Sequence, residues 1–193
     1  GGMFAPADGA GDALIFTRNL AKLCRDKGVD IRLNTTVTGL KREGDCIIGV
    51  VTDKGDLAAD CVVLALGLES PKLARTVGVH LPIYPIKGYT MNVSTEGYNG
   101  APTVGIIEED NLVAFARLGN RLRVGGKAEF AGYDKSYSPN QYKGVFKVAR
   151  DLFPQGGDYA NPTYYACLRP VTPGGPPILG PARYRNLHVN VGH

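Results

Sequence analysis

The segment that most restricts the fold of this chain is residues 168–180, where Arg169 is surrounded by four prolines and three glycines. Each proline locks its own φ and restricts the residue before it, so this segment excludes a helix. The apolar and aromatic residues 164–168 predict a strand that leads into Arg169. Arginine is suited to hold a carboxylate through two parallel hydrogen bonds. From this segment alone, a structural ion pair with an Asp or Glu is the simpler interpretation, and carboxylate binding is the alternative.

The composition indicates a globular protein and argues against several functional classes. The chain has 193 residues, of which 44% are hydrophobic, enough to bury the core of one domain or two small ones. The net charge of +4 is dispersed, and Lys41-Arg42 is the only adjacent basic pair, which argues against nucleic-acid binding. The sequence shows no signal segment and no apolar run of transmembrane length. The four cysteines and three histidines form no ligand pattern, which predicts reduced thiols in an intracellular protein and no metal site.

The two ends of the chain suggest a part of a longer protein. The sequence opens on Gly1-Gly2 without an initiator methionine. It stops directly after a predicted strand at residues 187–191. We therefore interpret it as an internal piece.

The first third of the chain predicts a helix followed by short strands. Residues 13–27 have apolar positions at helical spacing, with Asp12 as N-cap and Gly28 as the stop. Strands are predicted at residues 29–33, 35–40, 46–52, 57–59 and 60–67. The last of these runs is apolar at consecutive positions, which is typical of a strand covered on both faces. Ser70 as N-cap and Pro71 at the first helical position predict a short helix after it.

From residue 83 onward the pattern predicts an antiparallel meander. Its strands are expected at residues 83–93, 103–107, 112–117 and 121–130. A helix should follow at Ser138, with Gln141 in capping-box position. Its buried face is predicted to comprise Val145, Val148, Ala149 and Leu152. The final strands are predicted at residues 164–170 and 187–191, so two lobes, of α/β and α+β type, are woven from one chain, with a ligand expected at their junction.

Eight stretches along the chain can be compared with a known family: residues 11–17, 29–37, 62–67, 84–89, 123–129, 151–154, 168–173 and 186–193. In this order they resemble the FAD-dependent D-amino-acid dehydrogenases and the related D-amino-acid and glycine oxidases. The resemblance implies a two-lobed FAD-dependent oxidoreductase. Residues 1–78 would be part of the FAD-binding domain, residues 79–168 the antiparallel substrate domain, and residues 169–193 the return to the FAD-binding domain.

The resemblance also implies which residues would contact FAD and substrate. Those assigned to FAD are Val37 beside the adenine, Ala65, Leu66 and Gly67 in the turn near the dinucleotide, and Gly192 and His193 at the start of the loop toward the flavin. Those assigned to the substrate are Arg169, as the anchor of its carboxylate, and Tyr84 and Tyr89, as pocket residues. The sequence departs from the family at Leu66, where a small polar residue is more usual, and at Gly174, where an Asp is usual.

For the complete protein, the resemblance implies oxidation of a D-amino acid to a 2-oxo acid by hydride transfer from Cα to flavin N5. The electrons would pass to a quinone or a carrier, and the protein would be cytoplasmic or peripheral on the inner membrane. The glycine-rich GxGxxG turn that binds the pyrophosphate is missing from these residues, so we expect the isolated chain to retain little FAD and to be inactive. The alternatives are a glycine or sarcosine oxidase and a non-catalytic binding domain that has lost the flavin.

Overall fold

The computed structural model describes residues 2–193. Its helices and strands in chain order are α1 (Ala13–Asp26), β1 (Val37–Glu43), β2 (Cys46–Thr52), β3 (Leu57–Ala58), β4 (Val62–Leu64), α2 (Ser70–Arg75), β5 (Tyr84–Ser94), β6 (Ile106–Glu108), β7 (Val113–Leu118), β8 (Arg121–Glu129), α3 (Lys143–Leu152), β9 (Thr163–Val171), β10 (Ile178–Pro181) and β11 (Leu187–Val191). Short 3-10 helices precede α2 and α3. The mixed α/β and α+β content confirms the predicted fold class.

The chain divides into two compact units, each assembled from separate segments. Unit 1 comprises residues 2–30, 87–129 and 134–167, and unit 2 comprises residues 31–86, 130–133 and 168–193. These units describe compactness within this chain. The division into domains at residues 1–78, 79–168 and 169–193 concerns the complete protein and stays a prediction.

Unit 1 is organised around an antiparallel sheet covered by α3. The five-stranded sheet has the order β6-β7-β8-β5-β9, and β6, β7, β8 and β5 pair antiparallel with their neighbours in that order. Its apolar core consists of Met91, Val93, Val113, Phe115, Leu122, Val124, Val145 and Ala149. The period-2 alternation of these strand residues is what buries one face of the sheet. The predicted buried face of α3 is too wide, because Val148 is only partly buried and Leu152 is 48% exposed.

Helix α1 begins and ends as its sequence predicts. The Asp12 carboxylate accepts hydrogen bonds from the backbone N–H groups of Leu14 (2.9 Å) and Ile15 (3.3 Å). Gly28 follows the helix with a φ of +86°, the left-handed conformation that glycine adopts without strain. The second oxygen of Asp12 pairs with Arg121 Nη2 at 2.6 Å. One carboxylate therefore caps α1 and ties it to β8.

Unit 2 contains two three-stranded sheets, β1-β2-β3 and β10-β11-β4. The side chain of Asn186 joins them. Its Oδ1 accepts a hydrogen bond from Ile47 N–H (2.8 Å), and its Nδ2 donates to the carbonyls of Ile47 and Asp60, both at 2.7 Å. An amide side chain thus provides the hydrogen bonds that a neighbouring strand would otherwise provide, and it satisfies two backbone groups of Ile47 in β2 and one of Asp60, just before β4.

Two predicted strands differ from the structure. Residues 29–33 form no strand, since they take part in none of the ladders described within residues 2–193. The run at residues 60–67 is a strand only at Val62–Leu64, and Val63 is 61% exposed while its two neighbours are buried. The prediction that both faces are covered is therefore wrong within the described chain.

Two local predictions around the turns also need correction. Ser70 lies inside α2 rather than at its N-cap, and its Oγ accepts a hydrogen bond from the backbone N–H of Leu66 at 3.0 Å. The turn-rich segment after Arg169 contains an unpredicted strand, β10. It forms because Ile178–Pro181 finds an antiparallel partner in β11, which residue pattern alone did not reveal.

We predict that Asn186→Ala lowers the free energy of unfolding by about 2–3 kcal/mol, because three backbone groups lose their partner together. The measurement is urea denaturation followed by circular dichroism. Asn140→Ala is the control, since Asn140 is an exposed residue of the same type. A loss for Asn186→Ala no larger than that of the control would contradict the bridging role.

Candidate functional site

The carboxyl ends of two parallel strands lie side by side in unit 2. Strand β4 pairs in parallel with β11, with Leu64 opposite Val189. Residues 65–67 follow β4, and residues 192–193 follow β11. Because neighbouring parallel strands end at the same edge of a sheet, the structure brings together these two segments that were predicted to contact FAD. Such edges are where open α/β sheets bind ligands.

The turn after β4 lies next to the strand that carries Arg169. Gly67 has a φ of +54°, and a Cβ placed on it would lie 3.9 Å from Pro170 Cγ. The side chains of Ala65 and Leu66 are exposed. The Cβ of any other residue at position 67 would thus be directed at the residue that follows Arg169, in a backbone conformation that favours glycine.

The turn after β11 lies against the loop that follows Arg169. Gly192 is buried with a φ of +85°, and a Cβ placed on it would lie 2.7 Å from Thr172 Cγ2. Thr172 Oγ1 in turn donates to the carbonyl of Pro176 at 2.8 Å, which closes the loop on itself. Only glycine fits at position 192, for reasons of both conformation and space.

Arg169 is exposed in β9, one residue before the contact at Pro170 and three residues before the contact at Thr172. Within residues 2–193 its guanidinium makes no hydrogen bond or ion pair with another residue, so the structural ion pair considered for it is not formed in the described chain. A guanidinium without an internal partner keeps its paired N–H donors available for a carboxylate ligand.

Tyr84 also belongs to unit 2 and is 45% exposed. Its ring centroid lies 5.7 Å from that of Phe130. Three residues further on, the Tyr133 hydroxyl donates to the carbonyl of Leu68 at 3.4 Å, close to the turn at Gly67. The sequence analysis missed Phe130 and Tyr133, because a contact between distant segments leaves no local sequence pattern. The pocket role of Tyr84 stays a prediction.

Tyr89, in unit 1, is fully buried and its hydroxyl is occupied. The hydroxyl donates to the Glu129 carboxylate and accepts a hydrogen bond from Gln141 Nε2 at 2.8 Å. Burial, together with the bond to Glu129, raises the pKa of Tyr89. The Tyr89 side chain thus connects β5 to β8 and to the segment before α3 in the interior of unit 1. Its assignment to the substrate pocket stays a prediction.

The remaining predicted contacts to FAD are Val37 and His193. Val37 begins β1 opposite Thr52 and packs, partly buried, against the core of unit 2. His193 is exposed, with its Nε2 atom 2.6 Å from Asn190 Oδ1. Their roles toward the adenine and the flavin stay predictions.

A buried lysine in unit 1 was not identified from the sequence. Lys87 is 1% exposed, and its ammonium group donates to Asp134 at 2.9 Å and to the carbonyl of Ser136. The hydrogen bond from Lys87 lowers the pKa of Asp134 to about 2, and the same bond raises the pKa of Lys87. The interaction fixes the segment after β8 onto β5.

The described residues contain neither a metal-type cluster nor a membrane-spanning helix. Within residues 2–193, no three or more His, Cys, Asp or Glu side chains are grouped as they would be around a metal ion. None of the helices described has both the length and the apolar character needed to cross a membrane.

Comparison with known proteins identifies the family. The profile of a family described as "FAD dependent oxidoreductase" matches residues 1–193. The chain belongs to this FAD-dependent oxidoreductase family. It is 44% identical over 193 residues to a D-amino acid dehydrogenase of Granulibacter bethesdensis and 45% identical over 193 residues to one of Paramagnetospirillum magneticum. It covers 46% of each of these proteins, so the chain spans about half the length of the curated relatives it matches.

Two solved structures share the fold of this chain. Glycine oxidase from Geobacillus kaustophilus superimposes with a TM-score of 0.75 at 26% identity, covering 91% of this chain and 47% of that one. L-proline dehydrogenase from P. horikoshii gives a TM-score of 0.80 at 18% identity, covering 93% of this chain and 49% of that one. The second likeness, at its low identity, concerns the fold alone.

We predict that Gly192→Ala lowers the free energy of unfolding by about 2–3 kcal/mol, because alanine adds strain at positive φ and overlaps Thr172. Adding Thr172→Ser, which removes Cγ2 and keeps the hydroxyl, should restore part of this loss. Denaturant titration measures both changes. Gly144→Ala in α3 is the control: nothing lies within 4 Å of its Cβ, and it should be neutral or stabilising. Equal effects of the two alanine variants would exclude the crowding at Gly192.

We predict that the Lys87–Asp134 pair stabilises the folded protein at neutral pH and that this stabilisation is lost in acid. Because the pKa of Asp134 falls from 3.8 to about 2 on folding, its contribution is complete above pH 4 and is lost as the pH falls toward 2. Thermal unfolding between pH 2 and pH 5 should therefore depend less on pH in Asp134→Asn. Asp151→Asn, at an exposed ion pair, controls for net charge. An unchanged pH dependence in Asp134→Asn would contradict the assignment.

Proposed function

We propose that the protein containing this chain oxidises D-amino acids with FAD. The observation that carries this proposal is the position of Arg169: its strand and loop lie against Gly67 and Gly192, the glycines of the two turns at the carboxyl edge of β4 and β11. An amino-acid oxidoreductase requires a residue that binds the substrate carboxylate close to the sheet edge where the dinucleotide cofactor binds. The D-amino acid dehydrogenases that are 40–45% identical to the chain support the same substrate class.

The residues of this chain fit a part of a flavin site. The turns at residues 65–67 and 192–193 carry glycine at the positions of positive φ, so their backbone can approach a cofactor closely. A bound FAD would supply the acceptor for the hydride that leaves the substrate Cα. Arg169 would hold the substrate carboxylate with two parallel hydrogen bonds, which restricts how Cα is presented. The resulting imino acid would be hydrolysed by water to ammonia and a 2-oxo acid.

This mechanism requires no side-chain base if the substrate amine is neutral when the hydride leaves. What the chain contributes is orientation, and proximity of this kind supplies a large part of the rate in many enzymes. The electron acceptor, a quinone or a carrier, and a cytoplasmic or inner-membrane-associated location stay predictions. So does the expectation that the isolated chain retains little FAD and is inactive.

A second candidate activity is the oxidation of glycine or a secondary amine such as sarcosine. The observation in its favour is the likeness to glycine oxidase from Geobacillus kaustophilus, at 26% identity and a TM-score of 0.75. The same carboxylate anchor would serve both reactions, which differ in the substrate that fits and in the acceptor of the electrons. A third possibility is a binding domain without flavin.

We predict that Arg169→Ala raises the KM for D-alanine by about 100-fold or more in the complete protein, because two charge-assisted hydrogen bonds are lost. Arg169→Lys should recover part of the loss by restoring the charge without the planar pair of donors. The measurement is steady-state turnover with an artificial electron acceptor. Arg117→Ala, at an exposed arginine of β7, is the control and should leave KM unchanged.

The wild-type spectrum separates the candidate activities. Flavin absorbance that bleaches on anaerobic addition of D-alanine supports the dehydrogenase. Bleaching by glycine or sarcosine but not by D-alanine favours the amine oxidase, and absence of flavin absorbance favours the binding domain. An unchanged KM in Arg169→Ala would remove Arg169 from the site whichever activity is found.

A further inference from the structure

The loop that follows β9 contains a single polar side chain. Residues 172–177 read Thr-Pro-Gly-Gly-Pro-Pro, so Thr172 is the only residue of this loop whose side chain can form a hydrogen bond. Thr172 is 6% exposed, and a hydroxyl buried to this extent needs a partner to offset the loss of water. We refer to residues 172–177 as the anchor loop.

Thr172 closes the anchor loop with two hydrogen bonds. Its Oγ1 donates to the carbonyl of Pro176 at 2.8 Å, and its carbonyl accepts from the backbone N–H of Gly175 at 3.2 Å. The loop also contains the adjacent Gly174 and Gly175, whose backbones have more conformational freedom than those of other residues. The hydroxyl bond therefore restricts a segment that its own sequence would leave flexible.

The strand that leads into the anchor loop is weakly held at this end. β9 is an edge strand of the five-stranded sheet, so within residues 2–193 it pairs on one side only. Pro170, directly after Arg169, has no N–H group to donate to a ladder. The position of Arg169 therefore depends on the contacts that fix the residues after it.

The anchor loop connects the end of β9 to β11. A Cβ placed on Gly192 would lie 2.7 Å from Thr172 Cγ2 and 3.6 Å from Pro177 Cα, so both ends of the loop lie against the turn after β11. After the loop, Ile178 begins β10, which pairs with β11. All of these residues belong to unit 2, as does Arg169. The hydroxyl that closes the loop thus also fixes the end of β9 relative to β11.

We propose that Thr172 is a positioning residue for substrate binding, which holds the guanidinium of Arg169 in place through the closed anchor loop. The inference rests on the proposed function, in which Arg169 binds the substrate carboxylate, and extends it to the residue that orients Arg169. Two parallel hydrogen bonds form only when both N–H donors are aligned with the carboxylate. A displaced end of β9 would weaken this alignment, so loss of the hydroxyl should act on KM more than on kcat.

The test is Thr172→Val in the complete flavoprotein, which removes the hydroxyl and keeps a branched side chain against Gly192. We expect the KM for D-alanine to rise about tenfold, while kcat per bound flavin falls by less than about twofold. Thr172→Ser keeps the hydroxyl and should restore KM to within about twofold of the wild-type value. The dissociation constant of propanoate, which has the carboxylate of D-alanine without the amine, should rise in Thr172→Val by the same factor as KM. It is measured from the change in flavin absorbance on binding.

Thr52→Val is the matched control. Thr52 also belongs to unit 2, is 8% exposed, and closes a loop by donating from Oγ1 to the carbonyl of Gly55. That loop joins β2 to β3 and is separate in sequence from the segment that contains Arg169. Both valine variants should lower the Tm, because each leaves a carbonyl without its partner, and only Thr172→Val should raise KM.

An unchanged KM in Thr172→Val, or an equal rise in KM in the two valine variants, would overturn the proposal. If Thr172→Val does not accumulate as a flavoprotein, Thr172→Ala and Thr172→Ser provide the same comparison, since their side chains differ only by the hydroxyl. Equal values of KM in that pair would overturn the proposal as well.

The failure of this inference can be told from the failure of the proposed function. If no D-amino acid bleaches the wild-type flavin, or if Arg169→Ala leaves KM unchanged, the proposed function or the role of Arg169 fails, and the role of Thr172 fails with it. If D-alanine bleaches the wild-type flavin and Arg169→Ala raises KM while Thr172→Val does not, only the role of Thr172 is wrong.

Discussion

The parallel pairing of β4 with β11 determines the geometry of the candidate site. These strands are far apart in sequence, and their register of Val189 opposite Leu64 makes both end at one edge of the same sheet. Gly67 and Gly192 follow within a few residues, and each of these glycines faces a different residue of the segment that contains Arg169. The antiparallel pairing of β10 with β11 joins the segment that contains Arg169 to the same sheet.

Polar side chains supply the connections that the small sheets of unit 2 cannot make through their own ladders. The Asn186 side chain bonds to backbone groups of Ile47 in β2 and of Asp60 just before β4, and the hydroxyl of Tyr184 donates to the carbonyl of Val77 at 2.7 Å in the interior. Such bonds add modest net free energy individually, but leaving their buried partners unsatisfied is costly. They therefore restrict the arrangement of the strands more than they increase its stability.

Unit 1 buries two polar side chains of β5. Lys87 and Tyr89 project from one strand into the interior, and each is paired with an acidic residue. Burial of these groups is tolerable because their hydrogen bonds are made, as the low pKa of Asp134 and the raised pKa of Lys87 reflect. In the same unit, Leu112 and Lys127 have positive φ (+53° and +60°), a strained conformation for residues with a Cβ, and their side chains are exposed.

Local patterns in the sequence were sufficient to predict several elements of the fold and the family. Asp12 and Gly28 mark the ends of α1, the alternating strands of unit 1 form the antiparallel sheet, and the family resemblance was confirmed over the whole chain. These features depend on neighbouring residues or on order along the chain.

Four outcomes could be known only from the three-dimensional structure. Residues 29–33 form no strand, β10 exists, Lys87 is buried, and Arg169 has no internal partner within residues 2–193. Each of these outcomes depends on which distant segment lies alongside, and pairing between distant segments leaves no periodic pattern in the sequence of either one.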